Sequence, residues 1–155
     1  MRRTEYAKDY EPQDASKLRV GVVVSKWNSD ITENLLHGAR EMLRTWRVPT
    51  KNVTIVRVAG SFEIPYGCLS LIKKKKLDAV VALGCIITGE TEHDRHIASA
   101  VSHGITDLTI KHGVPISFGV ITANNLKQAK ARATGDANKG KEAVVAALEA
   151  ALLRQ

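Results

Sequence analysis

The sequence predicts a three-layer α/β fold in which a four-stranded parallel sheet is flanked by helices. Three observations lead to this prediction. Short apolar runs alternate with longer stretches of helical periodicity, in the order βαβαβαβα. The runs are rich in valine and other apolar residues, and the one at 79–83 is apolar throughout, which is typical of a strand buried on both faces. Parallel strands are joined by helical crossovers, so we expect helices on both faces of the sheet.

The first half of the chain contains two predicted strands, each followed by a predicted helix. Valines dominate the first strand, and the loop after it ends in a helix-start signal at Asp30. Pro65 is acceptable because it falls in the first turn of the second helix. The strands are expected at 18–24 and 53–58, and the helices at 31–46 and about 64–76.

The second half repeats this pattern and adds a final helix. A third strand is expected to end before Gly84, where a turn rich in glycine and polar residues leads into a long helix. Gly113 ends that helix, and Pro115 prevents its extension. The strands are expected at 79–83 and 114–122, and the helices at 97–111, 126–133 and 141–153.

Length and composition favour one ordinary globular domain. The chain has 155 residues, of which 44% are hydrophobic and 25% charged. Residues 1–16 are polar and aperiodic, so we expect a flexible N-terminal arm followed by a single domain at 17–155. The basic start lacks the apolar stretch of a signal peptide, and there are only two cysteines, so we expect a cytoplasmic protein.

The net charge of +7 favours anionic substrates or partners. The basic residues are scattered and aromatic residues make up only 5%, so we expect neither a nucleic-acid nor a membrane partner. The densest basic cluster, at 73–76, lies at the end of a predicted helix, where cations complement the helix dipole. We interpret this cluster as a solvated helix end.

The stretch at 84–96, GCIITGETEHDRH, is the strongest candidate for a functional site. A glycine-rich turn between a buried strand and a helix directs backbone amides and the helix N-terminus at one space, which suits a phosphate. A histidine side chain ordinarily titrates near neutral pH, so His93 in the first helical turn can move protons beside that anion. The residues of this predicted phosphate cradle are Gly89, Glu90, Thr91 and His93.

Two other strand ends should converge on this cradle, because sites in parallel α/β sheets gather at the carboxyl ends of the strands. Trp27 could cover a flat ring and Asn28 could fix its polar edge; alternatively, Trp27 packs on the sheet and Asn28 caps a helix. Ser61 and Glu63 likewise have a structural and a functional interpretation. They suit the start of a helix, but Glu63 could instead bind a polyol.

Metal and thiol chemistry are the weaker interpretations of the central stretch. His93 and His96 lie three residues apart, but no further ligands stand at the spacing of a known zinc signature, so we expect no metal. We expect His96 to be a surface or interface residue. Cys85 follows a strand, where nucleophilic thiols occur, but a buried inert cysteine is the preferred interpretation. Neither GxxxxGK[ST] nor a GxGxxG after a strand is present, which argues against nucleotide binding.

Several segments together resemble the lumazine synthase family. GSFEIP combined with GETEH is far more specific than either motif alone. The matching segments keep their order from about 18 to 153, so only the N-terminal arm is left out. They are SKWNSDITENLLHGA, GSFEIP, ALGCIITGETEH, PISFGVIT, the helix that carries Arg132, and NKGKEA.

The resemblance implies a flavodoxin-like sheet and a transferase of riboflavin biosynthesis. That family condenses 5-amino-6-(D-ribitylamino)uracil with 3,4-dihydroxy-2-butanone 4-phosphate to give 6,7-dimethyl-8-ribityllumazine, phosphate and water, with no metal or organic cofactor. Its active sites lie between adjacent subunits of a homopentamer, which in some members assembles further. Riboflavin synthase is an expected partner.

The resemblance also implies a role for each matching residue. His93 is the proton-transfer residue. The pyrimidine and its ribityl chain are bound by Trp27, Asn28, Ser61, Phe62, Glu63, Cys85, Ile86, Ile87 and Phe118. The butanone phosphate is bound by Glu90, Thr91 and Arg132. Phe118 and Arg132 are expected to come from the neighbouring subunit.

The chain departs from the common family pattern at two places. Glu92 and Asp94 flank His93 where the family often has Pro and Phe, and the linker at 134–140 is shorter and lacks a lysine often found there. Lys139 is the candidate to supply that charge. Two other functions remain open from the residues: a non-catalytic flavin- or lumazine-binding protein on the same fold, and a Cys85-dependent hydrolase.

Overall fold

The computed structural model describes residues 10–154, which form one α/β domain. Most elements begin and end within a few residues of their predicted positions, because the apolar runs and caps that predict them also form the core. The strands are β1 (Val20–Ser25), β2 (Val53–Val58), β3 (Ala79–Ile87) and β4 (Ile116–Ala123). The helices are α1 (Ser29–Thr45), α2 (Ile64–Lys74), α3 (His93–His112), α4 (Leu126–Arg132) and α5 (Lys139–Leu152).

The four strands are parallel and lie in the order β2-β1-β3-β4, which confirms the predicted sheet. The connections run from β1 outward to β2 and then back past β1 to β3. The direction of winding therefore reverses between β1 and β3, and ligands of such sheets bind where it reverses. The carboxyl ends of these two strands are Ser25 and Ile87.

Two apolar cores cover the two faces of the sheet, because successive strand side chains point to opposite sides. In β1, Val22 and Val24 join the core under α1 and α5, whereas Val23 joins the core under α2 and α3. Gly113 ends α3 with a φ of 64°, a left-handed conformation that glycine adopts without steric cost. The layers are thus helix, sheet and helix, as the sequence predicts.

The largest difference from the predicted elements is at the end of β3, which continues through Gly84 to Ile87 instead of turning at the glycine. A methyl group on Gly84 would lie 2.7 Å from the hydroxyl of Ser61 and 2.8 Å from the side chain of Ile64. The glycine therefore permits close packing of the segment after β2 against a straight strand. The turn that follows is confined to residues 88–92.

The predicted N-terminal arm is only partly within the described residues, since 1–9 lie outside them. Within residues 10–16, the ring of Tyr10 lies 6.5 Å from that of Trp46, and the amide of Ala15 donates to the carbonyl of Trp46. Flexibility of the arm stays a prediction. In the described part of the chain, no helix is long and apolar enough to cross a membrane.

Asn138 joins three parts of the chain before α5. Its side-chain amide donates to the carbonyls of Asn34 and Ala133, each at 2.8 Å, and its side-chain oxygen accepts from the amide of Gly140 at 2.8 Å. The side chain is almost fully buried. Asn138 therefore fixes the linker after α4 against α1 and caps α5.

We expect Asn138→Ala to lower the free energy of unfolding by about 2–4 kcal/mol, because it removes three hydrogen bonds made by a buried side chain, including the buried bond to the Ala133 carbonyl. Asn125→Ala is the matched control, since Asn125 makes one exposed cap bond to the amide of Gln128. It should cost only about 1 kcal/mol. Denaturant unfolding at fixed protein concentration measures both variants, and equal losses would contradict the special role of Asn138.

Candidate active site

The ends of β1 and β2 are held together by backbone hydrogen bonds. The amide of Lys26 donates to the carbonyl of Val58 at 2.9 Å, and the amide of Trp27 donates to that of Ala59 at 3.0 Å. The Trp27 side chain is 69% exposed and therefore does not pack under the sheet edge. A large exposed ring thus lies at the carboxyl end of the sheet, next to the point where the winding reverses.

Gly60 places the Trp27 ring next to the Glu63 carboxylate. A methyl group on Gly60 would lie 3.1 Å from Cε3 of Trp27 and 3.2 Å from Oε2 of Glu63. Oε2 of Glu63 also accepts a hydrogen bond from the amide of Gly60 at 2.9 Å. Glu63 as a whole is exposed. Phe62, also exposed, lies between Ser61 and Glu63 in the same 3-10 turn.

The carbonyl of Cys85 on β3 accepts hydrogen bonds from two predicted site residues. The side-chain amide of Asn28 donates to it at 3.2 Å, and the hydroxyl of Ser61 donates at 3.5 Å. Asn28 is the N-cap residue of α1, but its side chain makes no capping hydrogen bond, and Ser61 is not an N-cap residue. Neither side chain caps the helix that follows it, because each binds β3 instead. These bonds join the ends of β1, β2 and β3 around one carbonyl.

The thiol of Cys85 is poorly suited to nucleophilic chemistry. Its side chain is buried, and this burial raises the pKa of Cys85 to about 11. Burial likewise raises the pKa of Cys68 to about 12. A thiol with such a pKa holds almost no thiolate at neutral pH. The chemistry of the site therefore argues against a cysteine hydrolase and leaves Cys85 to act through its backbone.

We expect enzymatic activity to survive thiol alkylation at pH 7, because only about 10⁻⁴ of a thiol with a pKa of about 11 is ionised there. Cys85→Ser should likewise keep turnover within about threefold of the parent, since the carbonyl contacts do not depend on the side chain. Activity assays after iodoacetamide treatment test this, with Cys68→Ser as the matched control. Rapid inactivation in proportion to Cys85 modification would contradict it.

The turn after β3 leads directly into α3. The hydroxyl of Thr91 accepts from the amide of His93 at 3.5 Å, and the hydroxyl of Thr88 donates to Asp94 at 3.2 Å. Glu90, Thr91 and His93 are all exposed. The backbone of the turn and the first residue of α3 therefore face solvent, where a bound anion could reach them.

His93 begins α3, a helix that packs against the 3-10 turn at 61–63. Its imidazole is thus carried by an element in contact with the Ser61 and Glu63 segment. His96 is exposed, in agreement with a surface position. Among the residues that the structure describes, no three His, Cys, Asp or Glu side chains are grouped to hold a metal ion.

Phe118 and Arg132 lie at a different place, beside the edge strand β4. They line a cavity of about 390 Å³, into which Lys139 and Glu142 also face. Phe118 is 46% exposed. The guanidinium of Arg132 donates to the carbonyl of Gln128 at 3.1 Å, and Lys139 forms an ion pair with Glu142 at 2.6 Å. This edge cavity is therefore positively charged and partly aromatic.

One chain thus holds two separate groups of predicted site residues. Trp27, Asn28, Ser61, Glu63 and the Cys85 carbonyl come together, with Ile86 and Ile87 following on β3. None of these residues lines the edge cavity.

Glu142 was not among the predicted site residues, although its spacing of three from Lys139 on a helix permits the ion pair. Nor was Ser25, whose buried hydroxyl has no protein partner among the described residues and would lie 3.4 Å from a methyl group on Gly84. A serine at a strand end gives no signal for such a position.

Comparison with known proteins identifies relatives over nearly the whole chain. A family model described as 6,7-dimethyl-8-ribityllumazine synthase matches residues 17–155. Three similar proteins carry the same name. The one from Parabacteroides distasonis is 42% identical over 137 residues, covering 88% of this chain and 86% of its own. The one from Flavobacterium johnsoniae is 41% identical over 153 residues, covering 98% of this chain and 80% of its own. The one from Cytophaga hutchinsonii is 46% identical over 130 residues, covering 83% of this chain and 82% of its own.

Proposed function

The chain belongs to the 6,7-dimethyl-8-ribityllumazine synthase family, and on that premise we propose how its residues carry out the reaction. It is a transferase that condenses 5-amino-6-(D-ribitylamino)uracil with 3,4-dihydroxy-2-butanone 4-phosphate, in riboflavin biosynthesis. The products are 6,7-dimethyl-8-ribityllumazine, phosphate and water. The observation that carries this function is the family match over residues 17–155.

In the proposed site, the pyrimidine stacks on the exposed ring of Trp27. Glu63 is placed to accept hydrogen bonds from the ring edge or the ribityl hydroxyls, because one carboxylate oxygen remains free after the bond to Gly60. Ser61 and Phe62 line the ribityl side, and the backbone at 85–87 borders the ring. Asn28 acts mainly by holding β1 to β3, since its amide is already bound to the Cys85 carbonyl.

The butanone phosphate is proposed to bind at the turn before α3. Backbone amides at Glu90 and Thr91, together with the N-terminus of α3, offer donors to the phosphate oxygens. The Glu90 carboxylate would repel a phosphate, so its contribution must come from the main chain. This arrangement needs a further cation, and Arg132 supplies it from the edge cavity of a neighbouring copy.

We propose that two subunits complete each site, within a homopentamer that can assemble further. Support comes from the separation of the two groups in one chain, because the exposed Trp27 does not line the cavity that contains Arg132. Phe118 would then cover the pyrimidine from the other subunit. A solution mass of five times the 16.9 kDa chain, or a multiple of that pentamer, is the expected result. A monomer that is fully active would contradict it.

The reaction requires several proton transfers at one place. The ring amine at position 5 attacks the ketone and water leaves, giving an imine. Loss of a proton from the carbon next to the imine lets phosphate depart with the electrons of its C–O bond, and tautomerisation of the resulting enol leaves a ketone. The ribityl-bearing nitrogen attacks this ketone and closes the second ring with loss of another water. His93 can serve as acid and base in these steps, and Arg132 stabilises the departing phosphate. Holding the two substrates together supplies much of the remaining acceleration.

Two further features follow from family membership as proposals. We propose a cytoplasmic location, supported by two free buried cysteines in the described chain. We also propose riboflavin synthase as a partner, since that enzyme consumes the lumazine product. Co-purification of a riboflavin synthase, compared between the intact assembly and dissociated subunits, tests this partnership.

The direct experiment mixes the purified chain with both substrates in a buffer that contains a metal chelator. A fluorescent lumazine and one equivalent of free phosphate are the expected products. Omission of either substrate is the control. Tight riboflavin binding without either product would support the flavin-binding alternative and overturn the enzymatic proposal.

A further inference from the structure

A second charged cavity lies at the opposite end of the sheet from the candidate active site. It has a volume of about 310 Å³ and is formed where β1, β2 and β3 begin. The segments before the three strands all contribute to it. Its lining residues are Arg19, Lys51, Asn52, Thr54, Lys75, Lys76 and Leu77, which we call the basic pocket.

The basic pocket contains four cationic side chains and no carboxylate in its lining. None of the four takes part in an ion pair between described residues. The neighbouring acid is Asp78, whose carboxylate accepts from the backbone amide of Arg19 at 2.7 Å and whose own amide donates to the Arg19 carbonyl at 2.8 Å. One carboxylate beside four cations leaves a clear excess of positive charge.

The end of α2 alone does not account for this excess. Lysines at a helix C-terminus complement the helix dipole, which explains Lys75 and its neighbours. Arg19 and Lys51 come instead from the segments before β1 and β2, and face the same space. Like charges that converge from three separate segments create a positive potential that favours an anion between them. The lysines at 73–76 are all exposed at the end of α2, in agreement with the predicted solvated helix end, and two of them also line the basic pocket.

The walls of the basic pocket are fixed before any ligand binds. The side-chain amide of Asn52 donates to the carbonyls of Ser16 and Leu18, at 3.4 and 3.2 Å. Asn52 and Thr54 add neutral polar residues to the lining. These hydrogen bonds hold the backbone before β1 to the start of β2, so the backbone segments that carry Arg19 and Lys51 are fixed relative to each other.

We propose that the basic pocket binds a small oligophosphate anion, such as pyrophosphate. A ligand with several phosphate groups spans a greater length and carries more charge than a single phosphate, so it can better engage cations from all three segments at once. Because β1 is six residues long, the basic pocket lies about 20 Å from the carboxyl ends of the strands. Binding there does not compete with substrates at the candidate active site.

Calorimetric titration of the full chain with pyrophosphate at low ionic strength tests the proposal. Lys51→Gln/Lys76→Gln keeps most of each exposed side chain but removes two charges, so it should weaken binding by about tenfold or more. The matched control is Lys111→Gln/Lys130→Gln, which removes two exposed charges outside the lining and should bind normally. Orthophosphate should bind about tenfold more weakly than pyrophosphate, because it meets fewer cations.

The same titration on Arg132→Ala separates this site from the proposed phosphate site of the enzyme. Retained binding in Arg132→Ala, with loss in Lys51→Gln/Lys76→Gln and unchanged turnover in that double variant, is the expected result. Equal affinity of the double variant and the parent would overturn the basic pocket as the site. Loss only in Arg132→Ala would assign the anion to the active site and would also overturn it.

Discussion

His93→Ala is expected to lower kcat by about a hundredfold, which is the lower end of what a positioned proton-transfer group contributes. The effect stays at that lower end because holding two substrates together supplies much of the acceleration. His93 is exposed at the first position of α3, so its removal leaves the core intact. The loss should therefore fall on kcat, with little change in KM for either substrate.

The control is His96→Ala, one helical turn along the same exposed part of α3. Steady-state kinetics under saturating substrates, with unfolding curves for both variants, separate chemistry from folding. Turnover should remain near the parental value in His96→Ala. If both variants lost activity equally, or if His93→Ala turned over normally, His93 would not be the proton-transfer residue.

Arg132→Ala is expected to raise KM for the butanone phosphate by about 10–100-fold, because a charge-assisted contact to phosphate contributes about 1.5–3 kcal/mol. KM for the pyrimidine should change little. Arg132→Lys should have a KM for the butanone phosphate between those of the parent and Arg132→Ala, since an ammonium keeps the charge but loses the bidentate geometry of the guanidinium. Lys139 is already paired with Glu142, so it is not expected to replace the missing guanidinium.

Lys130→Ala is the matched control for Arg132→Ala, since Lys130 lies on the same short helix, is exposed and is absent from the edge cavity. Its kinetic constants should match those of the parent. Initial rates over a range of butanone phosphate concentrations, at saturating pyrimidine, give KM for the butanone phosphate in each variant. An unchanged KM in Arg132→Ala would remove this residue from the phosphate site.

The sequence was sufficient to predict the sheet and its helices, because the evidence for them is local. A continuous apolar run such as that of β1 marks a buried parallel strand, and Gly113 marks the end of α3. The parallel order then follows from the alternation of strands and helices. What could not be predicted was how far β3 continues past Gly84. That depends on Ser61 and Ile64 packing against the glycine, a contact between distant segments.

The candidate site divides in the same way. Residue type and spacing were enough to single out Trp27, Glu63 and His93. Residue type and spacing could not show that Asn28 and Ser61 both donate to the Cys85 carbonyl. A polar side chain at either position can make hydrogen bonds in a helix cap or in a site, so residue type alone does not separate the two interpretations. Residue type and spacing also gave no reason to connect Lys51 with the lysines after α2, since only the sheet brings those segments together.

The central claim is that each active site takes His93 from one subunit and Arg132 from its neighbour. Mixing His93→Ala with Arg132→Ala subunits, followed by reassembly, tests it most directly. With equal random mixing, about one quarter of the sites receive both wild-type residues. At a butanone phosphate concentration well below the raised KM of Arg132→Ala, both separate variants are nearly inactive, so activity should recover to about one quarter of the parent. Mass spectrometry confirms that mixed assemblies have formed. Activity in such assemblies that stays at the mean of the two separate variants would contradict a site shared between subunits.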